Sequence, residues 1–311
     1  MLHIAAESLK KGIFMETKTA FITIAGRTNA GKSSLLNALI GEKIAIISDK
    51  TQTTRTRITG LLNVEGTQLV FMDTPGLHKA KNKLSEYMLN SVKESASGVD
   101  VVLFVFDCTR RMGEQEKAMI SNLINAKTPV VLVLNKIDLL DDKALLAKKL
   151  SDLCAEFDFD AVIPVSVIEN DGVDLVLEQV LKYAAPSPHY FPDDKLTDRS
   201  ETYLAAEMVR EKLLMLLKDE VPHGIAVEIE KFAERDNKDI LDVHVVIYCE
   251  KSSHKGIVIG KNGAMLKKIA TMARRDLEDF FRIQVNLQCF VKVREDWRNR
   301  DGIIRSLGLG E

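Results

Sequence analysis

Residues 26–33 read GRTNAGKS and lie between the apolar run AFITIA and the segment SLLNALIG. The spacing of Gly26, Gly31, Lys32 and Ser33 matches the full phosphate-loop pattern, in which a glycine-rich turn presents backbone N–H groups at a helix N-terminus. A lysine at this place reaches the terminal phosphates, and the serine hydroxyl can ligate Mg²⁺. A chance match in a glycine-capped turn is the alternative, but the required strand and helix are indicated on both sides. The segment therefore predicts a nucleoside triphosphate site.

Two further polar segments stand at the ends of predicted strands. Residues 73–76 read DTPG, where the Asp73 carboxylate can hold the Mg²⁺ shell and the Gly76 N–H can meet the third phosphate. Residues 135–138 read NKID. Asp138 can accept hydrogen bonds from the ring N–H and the amino group of guanine, whereas adenine offers an acceptor and no amino group. Because a mismatched base leaves polar atoms unpaired, such a site discriminates by roughly 10⁴-fold.

The alternative for Asn135 and Asp138 is a helix-capping turn. That alternative is weaker here because NKID stands at this distance behind a phosphate loop and DTPG.

The polar segment SDKTQTTRTR, at 48–57, lies between the phosphate loop and DTPG and has no hydrophobic periodicity. It could be a simple connector. Beside a triphosphate, however, a threonine such as Thr54 can bring its hydroxyl to Mg²⁺ and its N–H to the third phosphate. The segment would then be ordered only while that phosphate is present, which predicts a switch.

Alternating strand-like and helix-like patterns position these motifs. Strands are predicted at 20–25, on both sides of a turn at 63–66, and at 101–107, 130–135 and 161–166, and helices at about 83–97, 114–126, 142–156 and 173–185. Such alternation indicates a mostly parallel sheet with helices on both faces, which binds ligands at the carboxyl ends of its strands. Asp73, Asn135, Asp138 and Ser166 stand at those ends.

A second unit follows the segment PSPHYFPDD, whose three prolines within seven residues indicate a linker. The later patterns predict a helix at about 198–218, two strands, a helix broken at GIVIGKNGAML, a long helix to about Phe281 and a last strand. In this α-β-β-α-α-β order, GKNG at 260–263 is a GxxG turn between two helices, as in KH domains, where it clamps single-stranded nucleic acid. An ordinary turn is the alternative, but the preceding VIG offers an apolar shelf.

The basic charge is concentrated near the C-terminus. Residues 251–300 contain twelve Lys and Arg and five Asp and Glu, although the whole chain has a net charge of −2. This asymmetry favours a polyanionic partner, either nucleic acid or an acidic membrane surface. A solvated helix face is the alternative on charge alone.

Length and composition set the outer limits. The 311 residues, 46% of them hydrophobic, predict two domains of an ordinary globular protein. The four cysteines are far apart and form no CxxC pair, so that neither a disulfide framework nor a zinc site is indicated and a reducing cytosol fits best. No apolar stretch approaches the roughly 20 residues that span a bilayer. Residues 1–16 lack a signal-peptide core and are assigned no function.

Taken in order, the motifs resemble the translation-factor-related class of GTPases. Three further segments, MDTPGLHK, FVFDCTR and LTDRSETYLAAEMVREKLL, are close to the wording of the bacterial Era family. The resemblance covers the chain from about Thr19. It departs at Ser166-Val167, where the family usually has Ser-Ala, but the expected contact with guanine comes from a backbone N–H, so the base preference is unchanged.

The resemblance implies an α/β P-loop GTPase domain with helices on both faces of its sheet, followed by an α+β type II KH domain. The implied boundaries are an N-terminal extension at 1–18, a GTPase domain at 19–185, a linker at 186–198 and a C-terminal domain at 199–311 that contains the KH domain at about 222–300. It also implies GTP and GDP as ligands with Mg²⁺, and slow turnover, because Leu77 replaces the glutamine that orients water in faster GTPases.

Site residues carry over position by position. The expected catalytic residues are Lys32, Ser33, Thr54 and Gly76, with Ser33, Thr54 and, through water, Asp73 on Mg²⁺. The expected nucleotide contacts are Gly26, Arg27, Thr28, Asn29, Ala30, Gly31, Lys32, Ser33, Ser34, Asp73, Thr74, Pro75, Gly76, Leu77, Asn135, Lys136, Asp138, Ser166 and Val167. The expected RNA contacts are Lys255, Gly260, Lys261, Asn262, Gly263, Lys267, Lys268, Arg274 and Arg275. Arg274 and Arg275 have solvated helix charges as their alternative.

Similarity to potassium-responsive GTPases suggests that Asn29 helps to hold K⁺ near the bridge between the last two phosphates. A loop-stabilising amide is the alternative for this residue. The family further implies small-subunit ribosomal RNA near its 3′ end, and the assembling 30S subunit, as partners of a monomer in the cytoplasm. Peripheral association with the inner face of the cell membrane is a further expectation.

Two other classes of protein compete with this interpretation. A metabolic P-loop kinase would need a lid for a small substrate and no guanine motif, so NKID argues against it. A membrane-surface GTPase would use the same basic C-terminal face on anionic lipid.

Overall fold

The computed structural model describes residues 17–50, 53–75, 83, 98–140, 142–236 and 238–309, with only the backbone of residue 143. The expectations for residues 1–16, for Gly76 and Leu77, and for the helix at 83–97 apart from position 83 lie outside these residues. Within them, the predicted fold class is confirmed: a mostly parallel sheet is followed by a smaller α+β unit.

The strands of the first sheet alternate along the chain with helices. They are β1 (Lys18–Gly26), β2 (Ile58–Val64), β3 (Thr67–Asp73), β4 (Val101–Asp107), β5 (Val130–Asn135), β6 (Ala161–Val165) and the short β7 (Ala185–Pro186). Their spatial order is β2-β3-β1-β4-β5-β6, with β7 on the N-terminal end of β1. Only β2 and β7 are antiparallel to their neighbours. The carboxyl ends of β1, β3, β4 and β5 therefore meet at one edge.

Helices cover both faces of this sheet because β1, β4 and β5 are apolar on both sides. The helices are α1 (Lys32–Ile40), α2 (Glu114–Asn125), α3 (Lys143–Glu156) and α4 (Val173–Leu181). Helices α1 and α4 pack in one hydrophobic core, while α2 and α3 contribute to a second core on the opposite face.

The second unit is a three-stranded sheet with helices packed on it. Its elements are α5 (Glu201–Leu216), β8 (Ile225–Arg235), β9 (Lys238–Cys249), α6 (Ser252–Ile259), α7 (Ala264–Phe281), β10 (Gln284–Val293) and α8 (Asp301–Ser306). The central strand β9 is antiparallel to β8 and parallel to β10. No pattern in the sequence predicted α8. It packs with the fully buried Trp297, whose Nε1 donates to the Gly224 carbonyl at 2.9 Å.

The proline-rich segment after β7 is fastened to the first sheet along its length. Gln68, which is fully buried, accepts hydrogen bonds from the backbone N–H groups of Tyr190 and Phe191 and donates to the Phe191 carbonyl. Further along, the Leu61 N–H donates to the Leu196 carbonyl at 2.8 Å. The segment thus connects the two units as a strap along edge strand β2, and not as a free tether.

Candidate functional site

The phosphate loop joins β1 to α1 in a conformation that depends on glycine. Gly31 has a φ of 101°, and a Cβ there would collide with the amide nitrogen of Asn135. Lys32 and Ser33 open the helix, and the Lys32 Nζ donates to the Arg27 carbonyl at 3.1 Å across the loop. The loop therefore curls around its own lysine, with the N-terminus of α1 behind it.

Three oxygen-bearing side chains meet beside this lysine. The Ser33 hydroxyl donates to the Asp73 Oδ2 at 2.6 Å and lies 3.0 Å from the Thr54 hydroxyl. The Thr54 Oγ1 is 3.5 Å from the same carboxylate oxygen. The other Asp73 oxygen is buried and has no hydrogen-bond partner among the described residues. Hydroxyl and carboxylate oxygens are the donors that Mg²⁺ takes, usually together with several waters, so this set fits the expected metal.

Burial dominates the electrostatics of the phosphate site. It lowers the pKa of Lys32 from the ordinary lysine value, although the negative charge of Asp73 opposes the change. Burial also raises the pKa of Asp73, against the effects of Lys32, Ser33 and Thr54. Both shifts have the same cause, which is that two opposite charges are held out of water without a direct ion pair. Triphosphate and metal would supply the missing counter-charges.

The guanine segment is held by the phosphate loop and by the turn after β6. Asn135 donates through its amide nitrogen to the Ala30 carbonyl at 2.8 Å, and its amide oxygen accepts from the backbone N–H groups of Lys136 and Val167. The Ser166 hydroxyl donates to the exposed Asp138 carboxylate at 2.6 Å. One oxygen of Asp138 is thereby fixed, and the exposed carboxylate is oriented to meet a base.

A cavity of about 480 Å³ lies between the phosphate loop and the 46–54 segment. Its lining consists of Thr28, Asn29, Gly31, Lys32, Ser33, Ser34, Ile46, Ile47, Ser48, Asp49, Lys50, Thr53, Thr54, Arg110 and Lys136. Asp138, Ser166 and Val167 do not line it. Seven lining residues were not among the predicted contacts: Ile46, Ile47, Ser48, Asp49, Lys50, Thr53 and Arg110. Six of them lie in or directly before the predicted switch segment, whereas nothing in the three nucleotide motifs points to Arg110. The volume is typical of small-ligand sites.

Asn29 has a contact that bears on its two predicted roles. Its amide nitrogen donates to the Asp49 carbonyl at 2.6 Å, which ties the phosphate loop to the segment opposite. Asn29 has a positive φ of 63°, a conformation that asparagine tolerates better than most residues. The loop-stabilising role is therefore present, and a cation would have to be held by the amide oxygen.

In the second unit, the GxxG turn separates α6 from α7. Gly260 has a φ of 73°, and a Cβ there would collide with the backbone of Met265, so only glycine fits. Lys261 and Asn262 are exposed in the turn, and Gly263 forms the N-cap of α7. The turn thus presents backbone and a lysine to solvent at a helix N-terminus.

The surroundings of the turn differ in part from the expectation. Lys267, Lys268, Arg274 and Arg275 are all exposed on α7, but Arg274 lies 3.2 Å from Glu278, as a solvated helix charge would. Lys255 is half-buried on α6. The apolar shelf also differs, because Val258 is fully buried in the core and the exposed apolar residue is Ile257.

The second unit also binds the predicted switch segment through hydrogen bonds, and no pattern in the sequence predicts these contacts. Arg210 of α5 donates to the Thr53 carbonyl, and the Thr56 hydroxyl lies 2.7 Å from the Tyr203 hydroxyl. Arg55 of the switch segment in turn contacts the second unit. Its guanidinium donates to the carbonyls of Ile225 and His223 and lies over the Trp297 ring. Thr54 therefore meets Ser33 and Asp73 while the residues on both sides of it are bound to the second unit.

Burial of the Arg55 guanidinium, assisted by the nearby positive charge of Arg210, lowers the pKa of Arg55 to about 9. Removing this charge from water is therefore unfavourable in itself, although the carbonyls of Ile225 and His223 accept its hydrogen bonds.

In the part of the chain that the structure describes, no helix combines the length and apolarity needed to cross a bilayer. The same residues contain no cluster of histidine, cysteine and acidic side chains of the kind that binds transition metals.

Comparison with known proteins extends these observations over the whole chain. The family described as 50S ribosome-binding GTPase matches residues 21–136, and the KH domain family matches residues 220–298. GTPase Era of Ruminiclostridium cellulolyticum is 47% identical over 294 residues, which are 94% of this chain and 98% of that protein. GTPase Era of Clostridioides difficile is also 47% identical over 294 residues, 94% of this chain and 99% of that protein.

Two solved structures are similar over the whole fold. An Era variant of Aquifex aeolicus bound to GDP and AlF4⁻ has a TM-score of 0.91 at 34% identity and covers 95% of this chain and 100% of its own. Era in complex with MgGDPNP and nucleotides 1506–1542 of 16S ribosomal RNA has a TM-score of 0.88 at 36% identity, with the same coverage.

Proposed function

Because the chain belongs to the Era family of GTPases, we propose that it is a GTP-controlled switch that binds small-subunit ribosomal RNA and assists assembly of the 30S subunit. The chain binds guanine nucleotide together with Mg²⁺ and hydrolyses GTP. The observation that carries the switch proposal is that Thr54 lies at the metal site while its neighbours are bound to the KH unit.

The site residues fall into three proposed roles. Lys32 and the loop N–H groups bind the phosphates, Ser33 and Thr54 ligate Mg²⁺ directly, and Asp73 acts through a bound water. Mg²⁺ neutralises charge on the phosphates when it is bound. The protein's own contribution is to position GTP and to exclude the wrong base through Asp138. Gly76, which lies outside the described residues, is proposed to donate its N–H to the third phosphate.

Slow intrinsic turnover follows from Leu77, whose side chain has no group that can orient a water. We propose that K⁺, held by the amide oxygen of Asn29, supplies part of the missing charge. Turnover should then rise when potassium replaces sodium, and Asn29→Ala should erase the difference. An unmutated protein that is indifferent to potassium would eliminate this role and leave the GTPase assignment intact.

RNA binding is proposed at the GxxG turn. The exposed Lys261 and Asn262, the lysines at the start of α7 and Gly263 at its N-terminus suit a phosphate backbone. The solved Era complex contains nucleotides 1506–1542 of 16S ribosomal RNA, and we propose the equivalent 3′ region as the ligand here. The protein is proposed to act as a monomer in the cytoplasm.

The decisive experiment is crosslinking of the protein in cells, followed by sequencing of the attached RNA. Enrichment of the 3′ end of 16S ribosomal RNA is expected, and enrichment of unrelated RNA alone would contradict the proposal. Flotation with anionic vesicles, with and without that RNA, tests peripheral membrane association, which would use the same basic face. Competition by RNA for the vesicle-bound protein would show that one surface serves both partners.

A further inference from the structure

Asp107, the last residue of β4, is a buried carboxylate that neither the phosphate site nor the RNA site uses. It is 6% exposed and pairs in register with Asn135 of the neighbouring strand. One oxygen, Oδ2, accepts from the Lys136 Nζ at 2.6 Å. The other accepts from the backbone N–H and the hydroxyl of Thr109, at 3.0 and 2.6 Å. The carboxylate is therefore fixed on one side and directed at a lysine on the other.

The residue after it holds the same segment through the backbone. Cys108 donates its N–H to the Asn135 carbonyl at 3.0 Å and its thiol to the Lys136 carbonyl at 3.1 Å. Burial raises the pKa of Cys108 to about 11, so the sulfur keeps its proton and remains a donor. These contacts matter because Lys136 has a φ of 70°, a left-handed conformation that is unfavourable for a lysine and must be imposed by its surroundings.

Lys136 is also part of the nucleotide site, since it lines the cavity between the phosphate loop and Thr54. A lysine side chain has many rotamers, and fixing it in one of them costs rotamer entropy. The hydrogen bond to the Asp107 carboxylate restrains the Lys136 side chain, and the same carboxylate lies 3.7 Å from the Nε of Arg110, another cation that lines the cavity. Although burial alone would raise it, the pKa of Asp107 is lowered by the hydrogen bonds from Lys136 and Thr109, so the group is ionised at neutral pH.

We infer that Asp107 is a positioning residue for guanine-nucleotide binding, which acts by holding Lys136 in the single orientation that forms the wall of the nucleotide cavity. The inference rests on the proposed nucleotide site, and it adds a determinant of affinity that lies outside the phosphate-loop, DTPG and NKID motifs. Asp107 itself is not expected to touch the nucleotide.

The test is Asp107→Asn in the full chain, with labelled GDP as the probe. The amide keeps an oxygen for Thr109 but turns an N–H group toward the lysine, so the restraint is lost with almost no change of shape. GDP affinity is expected to fall on the order of ten-fold, mainly through faster dissociation, because a charge-assisted hydrogen bond is lost. The hydrolysis rate at saturating GTP should stay near that of the unmutated protein.

The same substitution in Lys136→Met protein distinguishes a positioning role of Asp107 from a general effect on the stability of the fold. In Lys136→Met, the residue on which Asp107 acts is gone, so adding Asp107→Asn should change GDP affinity by less than two-fold. Equal losses in both backgrounds would overturn the inference. Asp100→Asn is the matched control, since Asp100 caps the Phe21 N–H at the other end of β4 and should leave affinity unchanged.

If Asp107→Asn fails to fold, Thr109→Val loosens the same carboxylate without removing its charge. It should weaken GDP binding in the unmutated background and not in Lys136→Met, and the reverse pattern would refute the inference. Failure of the unmutated protein to bind GDP would instead refute the proposed nucleotide site.

Discussion

Asp138 shows how a single exposed carboxylate can determine the choice of nucleotide. Its Oδ1 accepts from Ser166, which orients the carboxylate before any base arrives. Asp138→Asn exchanges an acceptor for a donor, so binding should shift from guanine toward xanthine nucleotides, and GTP affinity should fall by roughly 10²-fold or more. Competition against labelled GDP measures both effects. Asp142→Asn, which alters only the exposed N-cap of α3, is the control, and ATP competing as well as GTP against the unmutated protein would refute the prediction.

A substitution at Ser33 tests the assignment of the metal site through the rate of GTP hydrolysis. Its hydroxyl lies between Thr54 and Asp73, so that Ser33→Ala removes one metal-facing oxygen and the hydrogen bond to a buried carboxylate. GTP hydrolysis should fall by roughly 10²-fold or more, because catalysis of this reaction depends on positioning and charge. Lys32→Ala should have an effect of similar size. Hydrolysis is measured against Mg²⁺ concentration, and unchanged rates and Mg²⁺ dependence in Ser33→Ala would contradict the assignment.

At the level of elements, the sequence predicted the strands well and the connections poorly. Strands β4 and β5 were predicted to the residue because each is a short, wholly apolar run between polar ends. Helix α4 ends at Leu181, earlier than predicted, because the chain then turns toward β7. The pairing of β7 with β1 is a long-range contact that produces no periodic pattern in the sequence around β7. For the strap along β2 the sequence predicts only a linker, because prolines indicate a break in regular structure and carry no information about what the segment packs against.

His189 attaches the strap to the first sheet through contacts whose strength depends on pH. Its ring contacts Asp193 at 2.6 Å and the Gly66 carbonyl at 3.1 Å. The hydrogen bond with Asp193 raises the pKa of His189, although burial opposes it. The pair therefore stabilises the fold fully below about pH 6.5, the unfolded value, and this contribution is lost as the pH rises through the higher folded pKa.

We accordingly expect His189→Gln to lower the free energy of unfolding by about 0.5 kcal/mol at pH 5.5 and by less at pH 9, as is typical of a partly exposed pair. Denaturant unfolding at both pH values measures the difference. Asp193→Asn should give the same pattern, and a loss that is equal at both pH values would rule out the ion pair.

The GxxG turn allows a test of RNA binding in which the backbone strain is matched between two variants. A Cβ at Gly260 would collide with Met265, whereas the Cβ position of Gly263 is open and its positive φ of 77° is one that asparagine and aspartate tolerate better than most residues. Gly263→Asp places a negative charge where phosphate is proposed to approach, while Gly263→Asn has the same shape without the charge. RNA affinity should fall at least roughly ten-fold further in the aspartate variant, with RNA-free GTP hydrolysis near normal in both. Equal RNA affinities in the two variants would place the RNA elsewhere.

On the scale of the molecule, the two domains share a charged and hydrogen-bonded interface at the switch segment. The Lys43 Nζ, just after α1, lies 2.6 Å from Glu211 and 2.8 Å from Asp276, on α5 and α7. Glu211 also accepts from the Ile47 N–H at 2.9 Å. The sequence could not predict this interface, because the residues that its hydrogen bonds join are 142 to 233 positions apart and carry no motif.

We expect the Tyr203 hydroxyl to contribute to the energetic coupling between the two domains. Tyr203→Phe removes the bond to Thr56 and nothing else, so it should lower the energetic coupling between GTP and RNA by about 1 kcal/mol. Tyr183→Phe is the control, because Tyr183 bonds Gln179 within the GTPase domain. RNA affinity in each nucleotide state provides the measurement, and an unchanged coupling in Tyr203→Phe would show that this contact transmits nothing.

The nucleotide state at the phosphate loop should determine the RNA affinity of the GxxG turn. The test is titration of a labelled 3′-end fragment of 16S ribosomal RNA into the protein, loaded with either a GTP analogue or GDP. We expect the two RNA affinities to differ by about 5- to 150-fold, and the GTP affinities with and without RNA to differ by the same factor, because binding linkage is reciprocal. Thr54→Ala should bring the two affinities together. Identical affinities in the unmutated protein would mean that the chain carries two independent binding domains.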